Sequence, residues 1–334
     1  MTDTGFKITS LNRLKQALYY EIFRAYETGE SRLQRQLIRF LLWLPATLLS
    51  RKALAFETLV ATGDFCEACR RYQNDFVAAV DSSGQELIPA HGPLVIASNH
   101  PGTIDFMILA AQLQRKDVKL IARDMDFLRQ LPATASHLIF STRDTLDRFG
   151  VLRAVLRHLK AGGCLLLFPS GNLDPDPAVL AGARESLNTW SRSLDLILRK
   201  VPQTVVVPAI VSGLITERVL RFPLIRSQQN RFRQQVSAEI LQISTQLIFP
   251  GRLAPTPRIT FAEPISPELQ SNPEDRWDAL QEIIARADRL LRDENPRYEF
   301  RAPALLWVPC PKLEFNSLLR KHKSFLNHFN SAIR

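Results

Sequence analysis

The sequence predicts an α/β protein, a layered domain with a mostly parallel central sheet flanked by helices, behind a helical N-terminal region. Three observations predict it. From residue 93 onward, short apolar runs alternate with longer amphipathic stretches, the pattern that builds a parallel sheet. Several of the short runs are unbroken Val, Ile and Leu, as strands covered on both faces require. The 334 residues are 46% hydrophobic, 23% charged and 8% aromatic. That supplies a substantial core and excludes disordered, collagen-like and disulfide-scaffold classes.

The expected strands, in order, are PLVIAS (93–98), VKLIA (118–122), HLIFS (137–141), CLLLFP (164–169), TVVVPAIV (204–211) and RITFAEPI (258–265). Helices are expected at 104–114, 146–160, 184–200, 230–248 and 274–294. In the last of these, Trp277, Leu280, Ile283, Ile284, Ala287 and Leu291 recur at helical spacing. SNPEDRW ahead of them supplies a capping Asn and a proline near the first turn. The chain divides into a basic, amphipathic membrane-association region (1–60), the α/β domain (61–295) and a basic tail (296–334). The prolines of APALLWVPCP oppose a regular helix in that tail.

Charge is unevenly placed. Residues 1–52 carry nine Lys/Arg against four Asp/Glu, residues 297–334 carry seven against two, and the body between is neutral. Basic ends on a neutral body point to a polyanionic surface. No nucleic-acid-binding signature accompanies them, so the expected partner is an anionic membrane and not DNA or RNA. The segment LIRFLLWLPATLLS (37–50) fits that partner. It is too short to cross a bilayer and long enough to lie in its interface, with Arg32, Arg35, Arg51 and Lys52 near the headgroups. Pro45 is expected to break or kink it. A plain core-packing helix is the competing reading. With no long apolar span and no secretory-type apolar start, the expected location is peripheral, on the cytoplasmic face of a membrane.

Ligands of open α/β sheets bind at the carboxyl ends of strands. The first strong strand runs straight into Asn99-His100-Pro101-Gly102-Thr103-Ile104-Asp105. On a straight helix His100 and Asp105 would be about 140° apart. They meet if His100 sits in the turn after the strand and Asp105 in the first helical turn, with Thr103 as N-cap. A carboxylate so placed fixes the imidazole tautomer and stabilises the imidazolium. Three further strand ends are polar: Thr142-Arg143-Asp144, Ser170-Gly171-Asn172 and, after a strand containing Pro208, Ser212-Gly213.

In this order, the set resembles the glycerolipid (lysophosphatidate-type) acyltransferase superfamily over roughly residues 85–265. NHPGTID matches that family's His-x-x-x-x-Asp block, and Arg143 in IFSTR is the candidate for its acceptor-binding Arg. FPSGNL matches its FPEGTR block at Phe168, Pro169 and Gly171, and VVVPAIVSG its apolar, proline-containing strand. Ser170 and Asn172-Leu173 replace the family's Glu and Thr-Arg. That departure puts glycerol 3-phosphate and lysophosphatidate in doubt as acceptors, and Asp174 and Asp176 are candidates for contacts to a different headgroup.

The resemblance implies transfer of a fatty acyl group from acyl-CoA or acyl-carrier protein, as co-substrate, to a hydroxyl of a glycerolipid or lysophospholipid. It implies no cofactor and no metal. His100 would be the general base oriented by Asp105, with Asn99, Arg143, Pro169, Ser170, Gly171 and Asn172 on the substrate. Backbone N–H groups near Gly171 are the candidates for an oxyanion hole. N-acyl transfer to an aminolipid precursor and a catalytically silent lipid-binding role remain alternatives.

Other features carry less. Cys66 and Cys69 have the spacing of half a zinc site, but no second pair exists, so they read as two cysteines on a helix. His91, His137, His158, His322 and His328 have no partner pattern. Arg218, Arg221, Arg226, Arg231 and Arg233 alternate with apolar residues, a segment suited to donor phosphates, a lipid surface or plain solvation. No Gly-x-Ser-x-Gly elbow or phosphate-binding Gly-rich loop occurs, which argues against a serine hydrolase and a nucleotide kinase.

Overall fold

The computed structural model describes residues 10–26, 32–141, 145–266 and 279–294. Four helices come first: α1 (Leu11–Tyr26), α2 (Arg32–Leu41), α3 (Trp43–Thr62) and α4 (Phe65–Tyr72). Then follow β1 (Asp81–Ser83), β2 (Leu94–Ser98), α5 (Asp105–Gln112), β3 (Val118–Arg123), α6 (Asp126–Arg129), α7 (Pro132–Ser136) and β4 (Leu138–Ser141). Next are α8 (Thr145–Lys160), β5 (Cys164–Leu167), α9 (Ala183–Ser186), α10 (Ser193–Lys200) and β6 (Val205–Ser212). The last are α11 (Glu217–Leu220), α12 (Pro223–Arg226), α13 (Arg231–Ile248), β7 (Arg258–Phe261) and α14 (Ala279–Glu294).

The strands form one sheet in the order β1-β7-β6-β2-β5-β3-β4. β6, β2, β5, β3 and β4 are parallel, whereas β7 runs antiparallel to β6 and pairs in parallel with β1. All six expected strands are present. β1 was not legible, because Asp81-Ser82-Ser83 is a polar edge with no apolar residue to mark it.

Why the central strands are unbroken apolar runs is plain from their two faces. Leu94 and Ile96 of β2 join Leu166, Val207 and Val211 under α3, α4, α5 and α13. Val95 and Ala97 face the other way, joining Leu165, Val206 and Ile210 under α8, α10 and α14. Pro208 lacks an N–H in this central strand, yet no ladder bond is lost. The neighbouring chain leaves the β6 ladder between Phe261 and Ile265, and only the Pro208 carbonyl is used, by Ala262 N–H at 2.8 Å.

Two expectations need correction and one is met. The helix expected over 184–200 is broken into α9, a 3₁₀ turn at Leu187–Thr189 and α10, because Trp190 turns extended and buries its indole. Pro45 breaks the helical run as expected: α2 stops at Leu41, four residues ahead of the proline, and Pro45 then occupies the first turn of α3, where no intrahelical N–H is needed. The domain boundary expected at residue 60 falls inside α3, whose Phe56 and Val60 belong to the core under the sheet. Trp277, the SNPEDRW approach and the basic tail lie outside the described residues.

The N-terminal helices are tied to the carboxyl end of β3. Glu21 on α1 approaches Arg123 at 3.6 Å, and the Tyr19 hydroxyl donates to the Arg39 carbonyl of α2 at 3.1 Å. Arg35 and Arg39 lie over the Phe23 and Tyr19 rings. That turns the apolar stripe of α2 outward. Leu33, Leu37, Phe40 and Leu41 are exposed, as are Trp43 and Leu44 beyond them. From Pro45 onward the same segment packs inward. Lys52, expected near headgroups, pairs instead with Asp75 at 2.8 Å. No helix among the described residues is long and apolar enough to cross a membrane.

At the opposite edge, one buried guanidinium gathers the entries of three strands. Arg115 donates to the carbonyls of Gly92 (2.8 Å) and Gly162 (2.7 Å) and to Asp117 (2.6 Å), just ahead of β2, β5 and β3. Arg115→Ala removes the shared donor of the Gly92 and Gly162 carbonyls and the side-chain packing around it, and is expected to cost about 1–3 kcal/mol in urea unfolding. A loss within 0.5 kcal/mol would show that these carbonyls find other partners.

Candidate active site

β2 and β5 lie side by side, and their connections leave on opposite faces, by α5 on one and by α9 and α10 on the other. Their carboxyl ends therefore open a crevice at a topological switch point. His100 follows β2 and Ser170 follows β5, so the sheet brings the NHPGTID and FPSGNL segments together.

His100 and Asp105 meet as their spacing required. Nδ1 of His100 lies 2.7 Å from Oδ2 of Asp105, whose side chain is fully buried, while the imidazole is 26% exposed. Asp105 opens α5, where the aligned peptide dipoles favour a carboxylate. The imidazole stacks on Phe168 with centroids 4.3 Å apart and 16° between planes. Nε2 has no partner among the described residues and is left for an incoming group.

Thr103 is not the N-cap. Ile104 holds that position without a side-chain bond, and Thr103 instead donates both its N–H (2.6 Å) and its hydroxyl (2.7 Å) to Oε1 of Glu239 on α13. One turn earlier on α13, Nε2 of Gln235 donates to the carbonyls of Pro101 (2.7 Å) and Asp174 (2.8 Å). Gly102 suits the same approach, since a Cβ there would crowd Oε1 of Glu239 at 3.0 Å and Leu214 at 3.3 Å. The sequence reading missed Glu239 and Gln235. Their signal was a polar stripe at helical spacing, Gln235, Glu239, Gln242 and Gln246, which is buried instead of solvated.

The FPSGNL segment clasps His100 from the other side. The His100 N–H donates to Oδ2 of Asp174 at 2.9 Å, and the Asp174 N–H returns to the His100 carbonyl at 2.7 Å. Ser170 donates to the same Asp174 oxygen at 3.0 Å and to the Asn172 carbonyl at 2.9 Å. Asp174 and Asp176 therefore do not face a headgroup. Both are buried, and Asp176 is occupied by the N–H groups of Ala178, Gly213 and Ile215.

Further corrections concern residues expected on the substrate. Asn99 is 2% exposed, and its amide exchanges two 2.8 Å hydrogen bonds with the Val211 backbone, clipping β2 to β6. Pro169 is also buried. The Gly171 N–H, a candidate for the oxyanion hole, is bonded to the Phe168 carbonyl at 3.0 Å. Ser170 and Asn172 stay partly exposed and Gly171 exposed. Arg143 lies outside the described residues. A recess of about 270 Å³ lined by Ser212, Gly213 and Arg258 lies nearby but contains neither His100 nor Asp105.

Electrostatically, the site holds three buried carboxylates around one imidazole. Burial opposes the charge on His100, but Asp105 first, then Asp174 and Glu239, hold its pKa above the ordinary histidine value. Burial pushes Asp174 up to about 6 against its hydrogen bonds with His100 and Ser170. It pushes Glu239 up to about 7 against its two bonds with Thr103. Cys66 and Cys69 on α4 are buried in the core, where desolvation pushes the Cys66 thiol to about 12.

An imidazole backed by a buried carboxylate and open at its second nitrogen has the geometry that general-base chemistry requires. Residues 79–212, which hold β1 to β6 and each described strand end of the site, match the protein-family model Acyltransferase. Over that segment the chain is similar to acyltransferases. No curated protein sequence matches it. Among solved structures, the 1-acyl-sn-glycerophosphate (LPA) acyltransferase PlsC from Thermotoga maritima is similar at 16% identity and TM-score 0.41, over 88% of this chain and 99% of that one. Likeness at that level adds nothing to the assignment.

The raised carboxyl groups have a consequence for stability. Asp174 and Glu239 keep their protons to about 6 and 7 in the folded chain but release them from ordinary values of 3.8 and 4.5 when unfolded. Their contribution is fully present below the unfolded values and is lost as pH rises through the folded ones. Wild-type Tm should therefore carry a component that falls between about pH 4.5 and pH 7. Glu239→Gln should flatten it in calorimetric scans across that range. Identical Tm–pH curves for both proteins would contradict the raised Glu239 value.

Proposed function

We propose that the chain moves a fatty acyl group from an acyl thioester, acyl-CoA or acyl-carrier protein, to a hydroxyl of a glycerolipid or lysophospholipid acceptor. The single observation that carries this reading is the His100–Asp105 pair at 2.7 Å with Nε2 open to the crevice. Nε2 of His100 takes the acceptor's hydroxyl proton as the oxygen attacks the thioester carbonyl. The tetrahedral oxyanion collapses, the C–S bond breaks, and the departing thiolate takes the proton back from the imidazolium. Asp105 holds the ring with Nε2 forward and stabilises its charge, and Phe168 fixes its plane. The donor is already activated, so no protein nucleophile is needed.

Ser170 supports an acceptor other than glycerol 3-phosphate. In place of the family's Glu it offers a hydroxyl that turns back to Asp174 and the Asn172 carbonyl. An acceptor phosphate would have to be met elsewhere, by Arg143 or by the exposed arginines beyond β6. The chain works at an anionic membrane in this reading, and its support is the outward stripe of α2 with the basic N-terminal region around it.

Thiol release from palmitoyl-CoA is to be followed with a panel of lysophospholipid, glycerol-phosphate and amine acceptors. His100→Ala should lower turnover by about 10²–10⁴-fold and Asp105→Asn by less, with donor KM little changed. Wild-type turnover in His100→Ala would sink the general-base reading; turnover with amines alone would move the acceptor to that class. The rate should fall on the acid side as His100 protonates, with a midpoint above 6.5. Leu37→Ser with Phe40→Ser should release the protein from phosphatidylglycerol vesicles in sedimentation, and undiminished binding would remove α2 from the membrane contact.

A further inference from the structure

We infer that α11 and α12, with the turn between them, form a second contact with the anionic bilayer, on the far side of the candidate active site from the N-terminal helices. The inference rests on the membrane reading above and adds a surface to it.

Leu224 is 83% exposed and Phe222 45% exposed, side by side at the start of α12. They are not held loosely. Val219 before them and Ile225 after them are buried with Ile215 and Ala238 in a small core of their own, and Pro223 sets the first turn of α12. The segment therefore presents two large apolar side chains from an anchored base. Around them stand Arg218, Arg221 and Arg226, all exposed, with Glu217 as the sole acid between residues 214 and 233. Arg221 pairs with Glu217 at 2.6 Å, which leaves the patch with a surplus of positive charge. Apolar side chains ringed by guanidinium groups complement a surface of acyl chains under phosphate headgroups.

Topology places this patch. β6 adjoins β2 on one side, while β5 and then β3 lie on the other. The α11–α12 segment follows the carboxyl end of β6, and the N-terminal helices are tied through Glu21 to Arg123, the last residue of β3. His100 follows the carboxyl end of β2, between them. Two contacts on one edge of the sheet set the crevice against the bilayer, where a membrane-borne acceptor arrives without leaving the lipid.

The test uses the full chain and vesicles of phosphatidylcholine with and without phosphatidylglycerol. Phe222→Ser with Leu224→Ser should lower partitioning to phosphatidylglycerol vesicles about tenfold without changing the melting curve. In a Cys310→Ser background, a spin label at Leu224→Cys should gain oxygen accessibility when vesicles are added. A label that stays in water while the protein sediments with vesicles would overturn the second contact and leave the N-terminal one standing. A protein that binds no vesicle at all would overturn both. Wild-type partitioning by the double variant, with lost capture of acyl-carrier protein, would overturn the lipid assignment in favour of a protein partner.

Discussion

Three carboxylates buried beside one imidazole are the constraint around which the candidate site is built. Each is tolerated because the loop after β2 supplies a backbone donor to it. The N–H of His100 goes to Asp174, that of Gly102 to Asp105 at 3.3 Å, and that of Thr103 to Glu239; residue 101 is proline and has none to give. Every backbone donor from 100 to 103 is thereby aimed at a different anionic side chain. The three acids come from α5, from the loop after β5 and from α13, so the loop is held from three directions.

This accounting explains the residue types in the loop better than turn propensity does. Pro101 removes a donor for which there is no fourth acid, and its carbonyl is taken by Gln235. A Cβ at Gly102 would crowd the ends of the Glu239 and Leu214 side chains, at 3.0 and 3.3 Å. Thr103 brings a second donor to the same Glu239 oxygen, which lets one neutral-or-charged carboxyl serve as a fixed point across its titration. Serine at position 170 fits the same logic. A carboxylate there would face Asp174, where the hydroxyl now donates to it.

Most of the sheet was legible because burial on both faces leaves runs such as LVIAS and CLLL with no polar residue to confuse the period. The meeting of His100 and Asp105 was legible for a local reason: both sit within one strand–turn–helix unit. What the sequence hid is non-local. Asn99 looks like a site residue by position, and only the distant β6 backbone shows that its amide completes the sheet. Glu239 lies 136 residues from the Thr103 it holds. A glutamate on an amphipathic helix reads as solvated until the neighbouring layer is known. Local pattern likewise misread Thr103, since an N-cap is decided by where a helix begins and not by whether it exists.

The same carboxylates that hold the loop set a trade-off for the proposed chemistry. By favouring the imidazolium they make His100 a stronger base toward an acceptor hydroxyl, while reducing the fraction that is neutral and ready near neutral pH. Burial acts in the opposite sense on His100, and it also keeps Asp174 and Glu239 partly protonated near neutrality, so their pull is self-limiting. As pH falls and His100 begins to charge, these acids also take up protons and withdraw the field that favoured charging. The cluster therefore titrates as a unit whose apparent values belong to no single residue. The anionic membrane proposed above would act in the same direction as Asp105, because a negative surface enriches protons and favours the imidazolium. The protein's own acids thus cannot be tuned for basicity alone. Their buffering favours a neutral imidazole as the pH falls toward the values of Asp174 and Glu239.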